Sequence, residues 1–186
     1  MELKEVIAKR RSIRRYQTLD VKDELIKEIL ESARIAPSAK NRQPWRFIIL
    51  KDKQKDTIAD IMLKWDEANK TFRDQTGTVY KNSVLPTALV MKQASVLIMV
   101  YKKSDSPNIN SDVLSIGAAV ENICLTATDL GLGSLWICDV MYVKDEINEY
   151  LKITDMDLST AVAIGYAAEE PIPRPRLSYE EIVIQD

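Results

Sequence analysis

Leu3, Val6 and Ile7 fall at helical spacing, and the short helix they predict ends in Arg10 and Arg11, where cations suit the negative end of the helix dipole. Asp20 and Asp23 read as an N-cap with an acidic partner ahead of Leu25, Ile26, Ile29, Leu30 and Ala33, an amphipathic helix that Pro37 ends. After the polar loop SAKNRQP, Trp45 to Leu50 (WRFIIL) reads as a strand, and Ile58, Ile61, Met62 and Trp65 mark one face of a helix from about Gln54. Thr71 to Leu89 mixes Gly77, Pro86, aromatics and charges without a clear period, which predicts a partly helical cover over a pocket. Ser95 to Tyr101 (SVLIMVY) is a continuous apolar run of the buried-strand type. Asp112 to Leu130 is a long helix nearly free of charge, buried on most sides and ended by Gly131 and Gly133. Ser134 to Cys138 (SLWIC) returns as a strand, Val143 to Leu151 is a surface helix, and Leu158 to Tyr166 is a further apolar strand. In the tail, Pro171, Pro173 and Pro175 force an extended path, and Glu181 to Ile184 (EIVI) has strand character with no local partner.

Composition narrows the classes. The 186 residues, 46% hydrophobic and 29% charged, are ordinary for one folded domain over 1–186. A net charge of -2 and a pI near 5.4 argue against a dedicated nucleic-acid binder, so the arginine clusters are local features. The chain has no histidine, which removes His-based nucleophile machinery, His general bases and the commonest metal ligand; no metal site is expected, and a bound cofactor is the natural source of chemistry. Cys124 and Cys138 form no CxxC pair and read as reduced, structural residues. No apolar run approaches the roughly eighteen residues a membrane helix needs, and Glu2 and Glu5 do not fit a signal peptide; a cytoplasmic protein with no membrane partner is expected.

Arginines stand near both ends, in RRSIRRY (Arg10 to Tyr16) and in PRPR (Pro173 to Arg176). A guanidinium is a planar, permanently charged fork that matches a phosphate, so one anion gripped from both ends is one reading and solvated surface charge is the other. PRPR also reads as a polyproline ligand or a stiff tail. Pro37 to Asn41 is, on its residues, an ordinary helix-to-strand loop; Gly131 and Gly133 a helix C-cap; and Trp136 a core residue.

RRSIRRY, APSAKNRQPW, GLGSLWI and IPRPR, in this order and spacing across nearly the whole chain, resemble the FMN-dependent nitroreductase family. The resemblance implies an α+β fold, with a mixed central β-sheet surrounded by helices, in a homodimer with C-terminal tail exchange and two flavin sites built from both subunits. It assigns Arg10, Arg11, Ser12 and Arg14 to the FMN phosphate, ribityl chain and pyrimidine edge, with weaker claims for Arg15 and Tyr16. Arg174 and Arg176 resemble further phosphate ligands. Pro37, Ser38, Ala39 and Asn41 resemble the segment that reaches the flavin of the other subunit, with Gln43, Pro44 and Trp45 bracing the turn. Leu135, Trp136, Ile137 and Cys138 match the stretch beside the ring whose backbone N–H groups point toward N5 and O4. Where relatives often have glycine after the position of Ile137, this chain has Cys138 and Asp139, which bears on how closely the backbone approaches N5.

The activity so implied is NAD(P)H oxidoreduction by a ping-pong hydride transfer through flavin N5, reducing nitroaromatics, quinones or similar small-molecule acceptors. NADH or NADPH is the donor, and no side chain is the catalytic group. The alternatives are a family member with a specialised small-molecule reaction, and a flavin-binding sensor or storage protein without significant turnover.

Overall fold

Val96, Ile98 and Val100 point to one side of the central sheet and Leu97, Met99 and Tyr101 to the other, all fully buried, because helices cover both faces. The chain is seen in a computed structural model, which describes residues 1–69, 71–73, 79–81, 84–104 and 107–184. In chain order the elements are α1 (Leu3–Lys9), α2 (Asp23–Arg34), β1 (Trp45–Lys51), α3 (Asp52–Ala68), β2 (Thr71–Arg73), β3 (Val79–Lys81) and α4 (Leu85–Gln93). These are followed by β4 (Val96–Lys103), α5 (Ile109–Asp129), β5 (Gly133–Ile137), α6 (Lys144–Leu151), β6 (Met156–Gly165) and α7 (Tyr179–Ile182). Single 3₁₀ turns occupy Ala39–Asn41 and Asp139–Val143.

The sheet order is β1-β4-β6-β5, and every ladder in it is antiparallel. The α+β class with helices around the sheet stands, but the expected mixed sheet needs correction. β4 and β5 are linked through α5 and run the same way, yet β6 inserts between them and pairs antiparallel with both, so they never become parallel neighbours. Among the described residues, parallel pairing occurs only at one isolated bridge, Ser12 with Ser134. The core follows the layers: α2 and α5 pack with Val96, Ile98, Val100, Val162 and Ile164 on one face, and α3, α4 and α6 with Leu97, Met99, Tyr101, Ala161 and Ala163 on the other.

Other local expectations are revised. Asp20 and Asp23 form no cap; Lys22 takes the N-cap position of α2, and Asp23 lies in the first turn paired with Lys51. On α1 only Val6 is buried. The proposed cover Thr71 to Leu89 contains the short β2–β3 pair and the start of α4, while residues 70, 74–78 and 82–83 lie outside the described residues. EIVI is not a strand over its first half. Ser178 and Glu181 form a reciprocal capping box, Ser178 Oγ accepting the Glu181 N–H at 3.3 Å and Glu181 Oε2 the Ser178 N–H at 2.7 Å, which nucleates the single turn of α7.

Candidate functional site

The N-terminal arginines are presented by a segment anchored by two buried residues, Ile13 and Tyr16. Beyond α1 the chain runs along the outer edge of β5, where Ile13 donates its N–H to Ser134 O at 2.9 Å. Ile13 and Tyr16 turn into the core while Arg14 and Arg15 remain exposed. Two glycines that face each other across β5 and β6 make the room: a Cβ on Gly133 would stand 2.7 Å from Ile13 Cγ1, and one on Gly165 would stand 2.8 Å from Tyr16 Cδ1. The Tyr16 hydroxyl donates to Ala163 O at 3.2 Å, and burial pushes its pKa far above the ordinary phenol value.

The same segment holds the root of the tail. Gln17 N–H donates to Tyr166 O at 2.8 Å, and Ala168 N–H to Arg15 O at 2.9 Å. Glu169 accepts the backbone N–H groups of Arg14 at 2.5 Å and Arg15 at 3.2 Å, and pairs with Arg15 Nε at 3.3 Å. This brings the two arginine clusters to one cavity of about 430 Å³, lined by Arg10, Arg11, Ser12 and Arg14 from one end and by Arg174 and Arg176 from the other.

Little neutralises that cavity. Arg10 stands 3.8 Å from Glu121, and Arg11 donates to the Ala8 and Arg10 carbonyls at 2.7 and 2.8 Å. Arg11, Arg14, Arg174 and Arg176 have no carboxylate partner among the described residues. Clustered guanidinium groups without counter-charge are unfavourable unless an anion joins them, and donor forks beside a serine hydroxyl suit a phosphate. Arg15 is instead turned to Glu169 and does not line the cavity.

The other expected residues lie elsewhere on the chain. Pro37, Ser38, Ala39 and Asn41 belong to a loop tied to the N-terminal part of α5, and none lines the arginine cavity of its own chain. Leu135 and Ile137 are buried, whereas Trp136 and Cys138 line a second, largely apolar cavity of about 550 Å³ beside α5. Trp136 Nε1 donates to Thr160 Oγ1 at 2.8 Å, and Thr160 Oγ1 donates to Ile137 O at 2.7 Å, which fixes the indole against the strand. β5 is an edge strand, and past Ser134 no described strand pairs with its outer side. Cys138 sits at φ −90° and ψ −20°, ordinary for an L-residue, so its backbone position does not require glycine.

Sequence reasoning missed the residues that hold this arrangement: Glu169, the Ile13–Gly133 contact, and the Arg42–Asp112 ion pair. Only Asp112 carried a signal, as an acidic residue at the start of a helix otherwise apolar enough to be buried.

Fold and cavity together define an α+β protein with helices on both faces of a four-stranded sheet and an arginine-lined cavity where its N-terminal and C-terminal segments meet. The model of the nitroreductase family matches residues 7–166, ending ahead of the tail arginines. A provisionally named NADH dehydrogenase/NAD(P)H nitroreductase of Archaeoglobus fulgidus is 33% identical over 174 residues, 91% of this chain and 87% of its own. The iodotyrosine deiodinase of Thermotoga neapolitana is 25% identical over 193 residues, 98% of this chain and 96% of its own. Among solved structures, a provisionally named nitroreductase from Desulfovibrio desulfuricans in complex with FMN superposes with a TM-score of 0.80 at 26% identity, covering 100% of this chain and 97% of that one. A BluB-like flavoprotein from Clostridium difficile 630 gives a TM-score of 0.78 at 28% identity, covering 100% and 99%. The chain belongs to the nitroreductase family.

Proposed function

We propose that this chain, as one nitroreductase-like domain over 1–186, is an FMN-dependent NAD(P)H oxidoreductase that reduces nitroaromatics, quinones or similar small acceptors in the cytoplasm. The observation that carries the reading is the meeting of Arg10, Arg11, Ser12, Arg14, Arg174 and Arg176 at one under-neutralised cavity. The FMN complex of the Desulfovibrio desulfuricans relative supports the choice of cofactor.

When bound, FMN would supply hydride acceptance and donation at its ring. The arginines and Ser12 would hold the phosphate, and a cation of the same segment would favour negative charge at the pyrimidine edge. The outer side of β5 from Leu135 to Ile137, which pairs with no described strand, and Cys138 just beyond it would offer backbone N–H donors beside the ring. Protons are left to water, since the chain has no histidine. Donor and acceptor would visit one pocket in turn, which gives ping-pong kinetics.

The site is completed in a homodimer, with Pro37, Ser38, Ala39 and Asn41 supplied by the other subunit. Their separation from the arginine cavity within one chain supports this, as does the tail, where Ile172 and Ile184 are 87% and 95% exposed and little covered by the described residues of their own chain. The decisive experiment is the absorption spectrum of the pure protein before and after anaerobic NADPH, with chromatography of the heat-released cofactor. A yellow protein that releases FMN and bleaches supports the reading; FAD, or no retained flavin after reconstitution with FMN, overturns it. The likeness to an iodotyrosine deiodinase favours, as a second reading, a specialised reductive reaction at the same site, which a panel of halogenated phenols set against menadione would separate.

A further inference from the structure

We propose that Arg42 and Asp112 are a positioning pair that holds the Pro37–Asn41 loop in its flavin-binding shape, an inference that rests on the reading of that loop as a cofactor contact. Lys40, Asn41 and Gln43 have φ values of 53°, 53° and 49°, left-handed conformations that L-residues adopt only when their surroundings impose them. Asparagine tolerates such a position; lysine and glutamine have no special aptitude for it.

The structure shows what imposes them. Arg42 lies between these residues and directs its guanidinium onto the first turn of α5, where Nε and Nη2 donate to Asp112 Oδ1 at 3.1 and 2.8 Å and Nη2 also donates to Ser111 Oγ at 2.6 Å. The Asp112 side chain is 3% exposed, so its attraction for Arg42 is little screened by water. The next turn of α5 takes a second hold on the loop: Ser115 Oγ accepts the Ala39 N–H at 3.2 Å and donates to Ser111 O at 2.7 Å. Within the loop, Ser38 Oγ accepts the Gln43 N–H at 3.0 Å. The most buried helix of the fold therefore sets the path of the loop, and a loop held in advance loses less freedom when a ligand binds.

A pair that only stabilised the fold would be replaceable by apolar residues of similar size, since a buried ion pair is often energetically neutral against such a replacement. The test is the double variant R42M/D112L beside the conservative variants Asp112→Asn and Arg42→Lys. Each is followed by thermal melting, by hydrogen exchange of the flavin-free protein, and by titration with FMN and with riboflavin, which lacks the phosphate. The double variant is expected to melt near the wild type but to exchange the Ala39, Asn41, Arg42 and Gln43 amides about tenfold or more faster. It should bind FMN and riboflavin each about tenfold more weakly, with their ratio unchanged because the arginine cavity is untouched. The single variants should shift both flavins in the same direction, Arg42→Lys less than Asp112→Asn. Wild-type exchange in the loop, or wild-type affinity for both flavins, in R42M/D112L or, should that variant not fold, in Asp112→Asn, overturns the positioning role. If the wild-type protein binds FMN and the variants match it, only this inference fails; if the wild type binds neither flavin, the functional reading fails with it.

Discussion

Glu169 accepts the backbone N–H of Arg14 at 2.5 Å across 155 positions of sequence, a bond that ties the root of the tail to the segment with which it shares an arginine-lined cavity. Its carboxylate also takes the Arg15 N–H and faces Arg15 Nε. The Glu169 carboxylate is thus taken up by two backbone N–H groups and by Arg15, whose side chain does not line the cavity. Glu169→Ala should cost on the order of 2 kcal/mol, the usual loss when charged hydrogen bonds are removed and their donors left behind. Urea denaturation would read that loss, and FMN titration should show weaker binding as the tail root loosens. Unchanged stability and affinity would mean the contact is incidental.

Arg174 and Arg176 have no ion-pair partner among the described residues, so removing either should not disturb the fold. Arg176→Ala is expected to weaken FMN by about 2 kcal/mol, roughly thirtyfold, while leaving riboflavin affinity as it was. The FMN affinity of the wild type should also fall with added salt more steeply than that of the variant. An equal loss for both flavins would place Arg176 away from the phosphate.

Deleting the residues after Arg176 removes α7 and the exposed Tyr179, Ile182 and Ile184. On the proposed dimeric site, dimerisation and flavin binding should weaken together, because a chain without its tail would lose the subunit that completes its site. Sedimentation velocity on the truncated protein reads this directly. A dimer of undiminished stability would show that the tail is not the exchanged element.

Gly133→Ala should destabilise the protein by about 1–3 kcal/mol, since the new methyl meets Ile13 Cγ1 at 2.7 Å and Ile13 Cβ at 2.9 Å, inside any tolerable contact. Adding Ile13→Ala should recover part of the loss, as the second change vacates the space the first one fills. If the two changes were additive in chemical denaturation, the contact would not be the cause.

Burial raises the Cys124 thiol from its ordinary 9.0 to about 11, and Tyr101 from 10.0 to about 12. Both hold their protons more tightly folded than unfolded, so their contribution to stability is complete below about pH 9 and is lost as the pH rises toward 11 and 12. The melting temperature should therefore fall from about pH 9 upward, and Cys124→Ala should flatten the first part of that fall. Of the two thiols, exposed Cys138 should react with a thiol reagent in the native protein at pH 8, and Cys124 only after denaturation.

Much of the fold was legible in the chain because its strong patterns agree with burial. WRFIIL, SVLIMVY and SLWIC form strands within a residue or two of the expected limits, and the nearly uncharged stretch from Asp112 becomes α5, packed against the sheet on one side and α2 on the other. Where the pattern was thin, local chemistry decided otherwise: EIVI carries β-branched residues, but the Ser178–Glu181 capping box lies just ahead of them and winds the chain into α7. Of the candidate site, the arginines that share one cavity were legible as residue types. Arg10 to Arg14 and Arg174 to Arg176 stand out because guanidinium clusters are costly without an anion, and the nitroreductase motifs follow in sequence.

The sequence by itself determined that helices would flank buried strands, that histidine chemistry was absent, and that the two ends of the chain carried matching forks for an anion. Those properties depend on residue identity and short-range spacing, which are complete in the linear chain. Only the tertiary structure decided that β6 would insert between β4 and β5, that Gly133 and Gly165 would open the space for Ile13 and Tyr16, and that Glu169 and Asp112 would hold the segments their partners belong to. Each of these joins residues some seventy or more positions apart, except the strand insertion, which depends on the whole order of the sheet. Contacts of that range are set by how the layers pack, and no local pattern of hydrophobic and polar positions encodes them.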